Sequence, residues 1–419
     1  MKYDVLIVGA GPAGLAAATR VAQGGAKVLV LEREQGAGGI PRHCLHQGFG
    51  LRDLHIARSG PRYAELRTAL ALEAGAELRT GADVTGWSDL RELEVTSAAG
   101  RERLAADAIV LATGCRERPR PARLIPGDRC AGVMTTGTLQ QLVAAGRPVG
   151  SRAVVIGAEH VSYSALATLH HAGVSVAAMA TELDRPQTFG AFRIGAAAAF
   201  GVRARTGTRL SAIEGDERVA CVELTDSRGR ATRVPCDTVV LTADWIPEGE
   251  LAASGALESA RATGGPAADG LGRTSRTGVF AAGNVMHGAE PADVAALEGR
   301  DVGGAVLDYL AARRWPAQRL PVAVRAPLRW ASPTLYAPDA SGRLLLRADA
   351  RLLLAQVAVR QGGRLLSLTR LARLAPGRAA MLAPGWGDGA DPDGGPLTVE
   401  VAAARTRRQP ASSNITSST

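Results

Sequence analysis

Apolar and polar positions follow two rhythms along this chain. Val5 to Val8 form a continuous apolar run, Gly9, Gly11 and Gly14 follow at once, and Ala and Leu then recur at helical spacing. This predicts strand, tight turn and helix in that order. A second run, Lys27 to Leu31, predicts a strand ending in Glu32. Further apolar runs near 77–80, 109–111, 153–156, 238–242 and 278–283 alternate with helical patterns, the last a helix over 291–310. Uninterrupted runs suit strands buried on both faces of a parallel sheet. Pro247, in Trp245-Ile246-Pro247, cannot continue a ladder, so the chain is expected to cross back there. From about residue 317 the rhythm changes to short strands near 344–347, 352–360 and 398–402, with a hairpin at Gly362-Gly363. The expected class is α/β. A discontinuous Rossmann-like domain (1–147 and 246–316) holds an inserted second one (148–245). A β-rich C-terminal region (317–404) and a disordered polar tail (405–419) follow.

Composition narrows the choices. The 419 residues can bury a full core, and five cysteines are too few for a disulfide scaffold. No stretch of about 18 apolar residues predicts a transmembrane segment. The formal charge is +9, almost all of it arginine, since only Lys2 and Lys27 are lysines. Read as scattered by a compositional bias, these arginines form no phosphate-tracking stripe, and nucleic acid is not an expected partner. Without a recognisable secretory signal, the expected location is cytoplasmic, with any membrane attachment made through a partner. Asn414-Ile415-Thr416 then reads as a chance sequon.

The glycine turn carries the first chemistry. Gly9 permits the tight turn, Gly11 lets backbone approach a pyrophosphate, and Gly14 lets the helix pack closely on the strand. Pro12 and Ala13 open a helix whose free N–H groups and positive dipole end face the phosphates. Glu32, 23 residues after Gly9, can accept both ribose hydroxyls of an adenosine. A second such unit begins at Val154-Val155-Ile156-Gly157, but Glu159 stands at the second glycine position and Ser162 at the third. A carboxylate at the point of closest phosphate approach repels the ligand and fills its space. NAD(P) binding there is therefore doubtful, although Glu182 remains a ribose acceptor by spacing.

Together with four more ordered segments, this resembles the two-dinucleotide-domain flavoproteins of the pyridine nucleotide-disulfide oxidoreductase superfamily. The segments are Gly38-Gly39, Asp83-Val84, Ile109 to Gly114 ending in Ala112-Thr113-Gly114, and Gly278 to Asn284. The resemblance implies FAD as cofactor. It places Gly9, Gly11, Pro12, Ala13, Gly14, Glu32, Arg33, Gly39, Ile40, Val84, Ala112, Thr113, Gly114, Gly283 and Asn284 around it. Asn284 stands where the superfamily usually has Asp; its amide oxygen can still accept from a ribityl hydroxyl. The helix at 291–310 would aim its N-terminus at the flavin pyrimidine ring and favour the anionic reduced form.

The wording GGIPRHC, RLIPGDR, VMTTGTLQ and AAGNVMHG is closer still to the FAD-containing components of the opine oxidase, hydrogen cyanide synthase and dye-linked proline or hydroxyproline dehydrogenase group. That implies oxidation of a C–N bond in an amino-acid-like or opine-like amine by hydride transfer to the flavin. It also implies two partners, a small iron–sulfur protein and a second flavin subunit. The redox dithiol of the disulfide reductases is missing: the cysteines are Cys44, Cys115, Cys130, Cys221 and Cys236, with no CxxC or CxxxxC. His43, Cys44, His46 and His55 do not have the spacing of a common zinc site. Arg42 and His43 are the candidates to face the flavin or clamp a substrate carboxylate. Two other readings stay open: an NAD(P)H-dependent reductase of a small acceptor, and a FAD-binding relay or scaffold subunit of a complex.

Overall fold

The computed structural model describes residues 2–188, 190–288, 290–340 and 342–405. It divides into two compact units, Met1–Ala317 and Gln318–Thr419. In the first, a seven-stranded sheet runs in the spatial order Glu77–Arg79, Val28–Leu31, Tyr3–Val8, Gly100–Leu111, Glu92–Ser97, Ala82–Asp89, with Val279–Ala281 also paired to Gly100–Leu111. The pairs around Tyr3–Val8 are parallel, and Val8 sits opposite both Leu31 and Leu111, with Ala281 opposite Leu111. The four strands thus end in one line, and Gly9, Glu32, Ala112 and Ala282 open the loops along one edge. Ligands of open parallel sheets bind at that carboxyl edge.

The apolar runs are explained by two covered faces. Val5, Ile7, Val28, Val30 and Val110 pack under the helices, while Leu6, Leu29, Leu31, Ile109 and Leu111 pack on the other side, as alternation along a strand requires. Helix Ala292–Ala312 lies on helix Pro12–Gln23 at close range. A methyl group on Gly299 would stand 2.0 Å from the Ala13 carbonyl oxygen, so only glycine allows this approach.

A second sheet in the same unit repeats the plan. Val133–Thr135, Thr238–Leu241, Arg152–Ile156, Ser175–Ala180 and Ala204–Arg205 are all parallel, and Thr208–Gly215, Val219–Asp226 and Ala231–Pro235 form an antiparallel meander beside them. The boundary expected at 147/148 needs correction here. Val133 pairs with Val239, so residues assigned to the first domain supply the outer strand of the second sheet. A three-residue, half-buried strand leaves no apolar run to find.

The second unit is all β. One sheet runs Leu335–Tyr336, Leu320–Val324, Leu397–Arg405, Leu352–Gln361, Arg364–Leu374, and another runs Leu328–Ser332, Leu344–Ala348, Ala380–Leu382. Leu344, Leu346, Val357, Val359, Leu397, Val399 and Trp386 form its core. Gly362 and Gly363, at φ +51° and +86°, make the expected hairpin turn, with Gln361 opposite Arg364. Arg405 ends a strand, and the rest of the polar tail, with its sequon, lies outside the described residues.

The charge is not scattered. Residues 318–419 hold fourteen arginines against six acidic residues, whereas the preceding 317 hold thirty-five basic residues against thirty-four acidic ones. Nearly the whole excess belongs to the β-rich unit. Among the described residues, no helix is long and apolar enough to cross a membrane.

Candidate functional site

The first glycine turn is built as a cradle. Gly9 takes φ +102° and donates to the Leu31 carbonyl at 2.8 Å, while Ala112 donates to the Val8 carbonyl at 2.8 Å. A methyl on Gly14 would stand 1.9 Å from the Gly9 oxygen, and one on Gly283 would stand 2.7 Å from the Ala13 methyl. These positions admit no side chain because the neighbouring elements close directly on the backbone. Gly11 is the opposite case, since nothing lies within 4 Å of the place its side chain would take. Gly11 precedes Pro12 as the helix cap with no side-chain cap bond, so the first-turn N–H groups of Ala13 and Gly14 face open space.

The other expected cofactor residues surround this turn. Glu32 is buried; its carboxylate accepts the Ala10 N–H at 2.8 Å and the Glu34 N–H at 2.9 Å. One lone pair on each oxygen remains for a ribose. Arg33 is exposed beside it, and Ala82 donates to the Glu32 carbonyl, which brings in the strand carrying Val84. Gly38 donates to the Ala10 carbonyl, and Gly39 passes so near that its methyl would be 2.9 Å from the Gly11 Cα; Ile40 follows, half exposed. The Thr113 hydroxyl donates to the Glu248 carbonyl at 2.7 Å, and Gly114 accepts from Glu248 N–H, which ties the returning chain to the cradle.

Asn284 does something the sequence did not reveal. Its Nδ2 donates to the Glu290 carbonyl at 3.1 Å and its Oδ1 accepts the Glu290 N–H at 2.9 Å. The amide clamps the loop before the long helix, a task that needs a donor and an acceptor together. His287, fully buried in that loop, faces Glu298 at 3.3 Å. Burial works against its cation, but Glu298 and Glu290 outweigh it and raise its pKa. At the start of the long helix, buried Asp293 accepts the N–H groups of Val294 and Arg52, so a protein carboxylate already answers part of the helix dipole.

Arg42 and His43 do not stand free to clamp a substrate. Arg42 Nη2 bonds Glu34, and His43 Nε2 lies 3.6 Å from the same carboxylate and 3.1 Å from Arg42. The hydrogen bond from His43 and then the charge of Arg42 hold the Glu34 carboxyl below its ordinary value against the effect of burial. The partner lies eight residues back, at the adenosine-side end of the second strand, beyond what spacing reveals. Cys44 is buried and its thiol is pushed up to about 12, so it is no thiolate at neutral pH. All five cysteines are unpaired, and the described residues hold no His/Cys/Asp/Glu group able to bind a metal.

The second turn repeats the cradle and fills it. Gly157, at φ +126°, donates to the Ala180 carbonyl, and Thr242 donates to the Ile156 carbonyl, as Gly9 and Ala112 do in the first. Glu159 folds its carboxylate back to accept the Ala158 N–H at 3.0 Å and the Ser162 hydroxyl at 3.2 Å, and Ser162 also meets the Thr242 hydroxyl at 2.6 Å. A protein carboxylate occupies the anion position at this helix start. Register puts Thr181, not an acid, at the ribose position, because Thr181 bonds the Arg205 carbonyl as Glu32 bonds Arg79. Glu182 is one residue too far along and exposed.

The family model described as pyridine nucleotide-disulphide oxidoreductase matches residues 3–299. The chain belongs to that family. The first subunit of an opine oxidase from Rhizobium meliloti is 31% identical over 70% of this chain and 60% of the relative. Hydrogen cyanide synthase subunit HcnB from Pseudomonas protegens is 26% identical over 72% of this chain and 69% of the relative. Among solved structures, the thioredoxin reductase of T. acidophilum superposes with a TM-score of 0.63 over 73% of this chain and 98% of that one, at 20% identity, which shows the fold. This chain's match spans less than two thirds of the opine oxidase subunit's length.

As a family member the protein is a FAD-dependent oxidoreductase, and the open first cradle fits that cofactor. Gly9, Gly11 and the Ala13 and Gly14 N–H groups would take the pyrophosphate, Glu32 the ribose, and the Gly283 turn the ribityl side. The family's two other signatures are altered here: the nicotinamide-type cradle is filled by Glu159, and no paired thiols stand near the first cradle.

Proposed function

We propose that this chain is the FAD-bearing subunit of an amine dehydrogenase or oxidase that oxidises a C–N bond of an amino-acid-like or opine-like substrate and hands its electrons to a partner carrier. When bound, the flavin supplies a two-electron acceptor for the hydride leaving the carbon that bears nitrogen. One observation carries the reading: the cofactor cradle is open at Gly11, while the second, where a nicotinamide dinucleotide would deliver electrons, is occupied by the Glu159 carboxylate. Electrons then enter from a substrate that needs no second cradle. The names of the opine oxidase and hydrogen cyanide synthase relatives support the amine and the heteromer.

The chain's own residues have defined tasks in this reading. A neutral amine needs placement more than a base, so no nucleophile is required, consistent with a Cys44 thiol pushed up to about 12. Arg42 and His43 are positioning residues that fix Glu34 and the loop passing the cradle. Asn284 closes the 284–290 loop, which excludes water beside the ribityl side. Five unpaired thiols suit the reducing cytoplasm, which is the location the proposal assigns.

The test is anaerobic titration of the purified yellow protein with octopine- and nopaline-type opines, proline, hydroxyproline and glycine. Bleaching of the flavin by one of these amines, and not by NADH or NADPH, is the expected result. Bleaching by the reduced nicotinamides alone would make the protein a reductase instead.

A further inference from the structure

The unit built from residues 318–419 has a feature that the redox chemistry does not use. Its last strand in the larger sheet, Arg364–Leu374, is eleven residues long and pairs on one side only, with Leu352–Gln361. Among the described residues no strand pairs with its outer edge. Such an edge presents a row of free N–H and C=O groups and is a template for another strand. Along this strand Leu365 and Leu368 are about half exposed, at 46% and 50% of their surface. Arg370 and Arg373 are exposed on the same strand, and neither has an ion-pair or hydrogen-bond partner among the described residues. The unit as a whole carries eight more arginines than acidic residues.

We propose that this edge is a docking site for an extended, acidic and aliphatic strand of a partner protein, which joins the sheet by β-augmentation. Three features must be answered at once: unpaired backbone groups, exposed leucines, and excess positive charge. A nucleic acid answers the charge but not the leucines. A lipid surface answers leucines and charge, but has no N–H groups to donate to the strand's carbonyls. A second copy of this chain brings the same arginines and is repelled. A strand alternating acidic and aliphatic residues satisfies all three, with main-chain bonds giving affinity and alternate side chains giving specificity. The proposal goes beyond the amine reading and uses no readout of catalysis.

The experiment uses the full flavin-loaded chain. The probes are an extended peptide of about twelve residues alternating Glu and Val, its Lys-for-Glu counterpart, phosphatidylserine vesicles and duplex DNA; hydrogen exchange of the 364–374 amides is followed with a binding titration. The acidic peptide should slow exchange along 364–374, and its binding should weaken about tenfold or more between ~0.05 and ~0.5 M salt. The exposed double variant Arg370→Glu with Arg373→Glu should lose about tenfold in peptide affinity while keeping its flavin spectrum. Equal protection by the lysine peptide, no protection by either, or binding of vesicles or DNA without protection of 364–374 would overturn the proposal.

Discussion

Residues 1–317 contain the same turn twice, and the two copies have opposite fates. Both start from a glycine at positive φ held by the neighbouring strand, and both open a helix at the carboxyl edge of a parallel sheet. In the first, the position after the turn is Gly11 and stands open; in the second it is Glu159, whose carboxylate lies where a phosphate would lie. The backbone therefore decides only that an anion is wanted at the helix start. The side chain at one position decides whether that anion is a ligand or part of the protein.

Exchanging that position should break the comparison most strongly. Gly11 sits at φ −79°, open to any residue, and has no neighbour to clash with. Gly11→Glu should fold with an unchanged melting temperature yet lose about a hundredfold in FAD affinity, near 3 kcal/mol, by equilibrium dialysis of the apoprotein. The reverse change, Glu159→Gly with Ser162→Gly, should cost about 1–2 kcal/mol of stability through the lost cap and the lost Thr242 bond. It should also create measurable NADH binding by fluorescence, limited by Thr181 at the ribose position.

Smaller effects sharpen the account. Asn284→Asp keeps the acceptor for Glu290 N–H but sets a carboxylate oxygen against the Glu290 carbonyl. Chemical denaturation should show a loss of about 1–2 kcal/mol, although the family's usual residue has been restored. Asp237 and Asp107 occupy matching places, one residue before the Thr238 and Ala108 positions that pair with the first strand of each sheet. Burial pushes the Asp237 carboxyl up, but donors from Ser151, Arg152 and Thr238 outweigh it and hold the value at about 2, below the ordinary 3.8. A folded-state value below the unfolded one gives stability that is present above about pH 4 and lost as pH falls towards 2. Being largely solvated, the group should contribute only about 1 kcal/mol, lost in Asp237→Ala at pH 7 and absent at pH 2. Asp107 is instead held by Arg313 and Lys2 at the surface, so Asp107→Ala should cost about 0.5 kcal/mol or less, and less still in high salt.

Much of the first cradle was legible because its parts are consecutive. Strand, glycines, helix and Glu32 lie within about thirty residues, and local spacing sets their geometry. The repulsive role of Glu159 was visible as well, but not the way its carboxylate turns back onto Ala158 and Ser162, nor the one-residue offset that replaces Glu182 with Thr181. Those depend on pairing between strands far apart in the chain. Arg42 was misjudged for a similar reason, since its guanidinium answers Glu34 across a loop rather than a ligand. The charge was misjudged differently: the total was plain, but the fourteen arginines of 318–419 only stand out once that stretch is known to be a separate unit.

The central claim is that the second cradle is closed by its own carboxylate, so nicotinamide dinucleotides neither bind nor deliver electrons. Anaerobic mixing of the flavin-loaded protein with excess NADH and NADPH, followed at the flavin absorbance in a stopped-flow instrument, tests this most directly. The account predicts an unchanged oxidised spectrum with both, while Glu159→Gly with Ser162→Gly gains nicotinamide binding. Rapid, saturable bleaching of the unaltered protein by either nucleotide would contradict it.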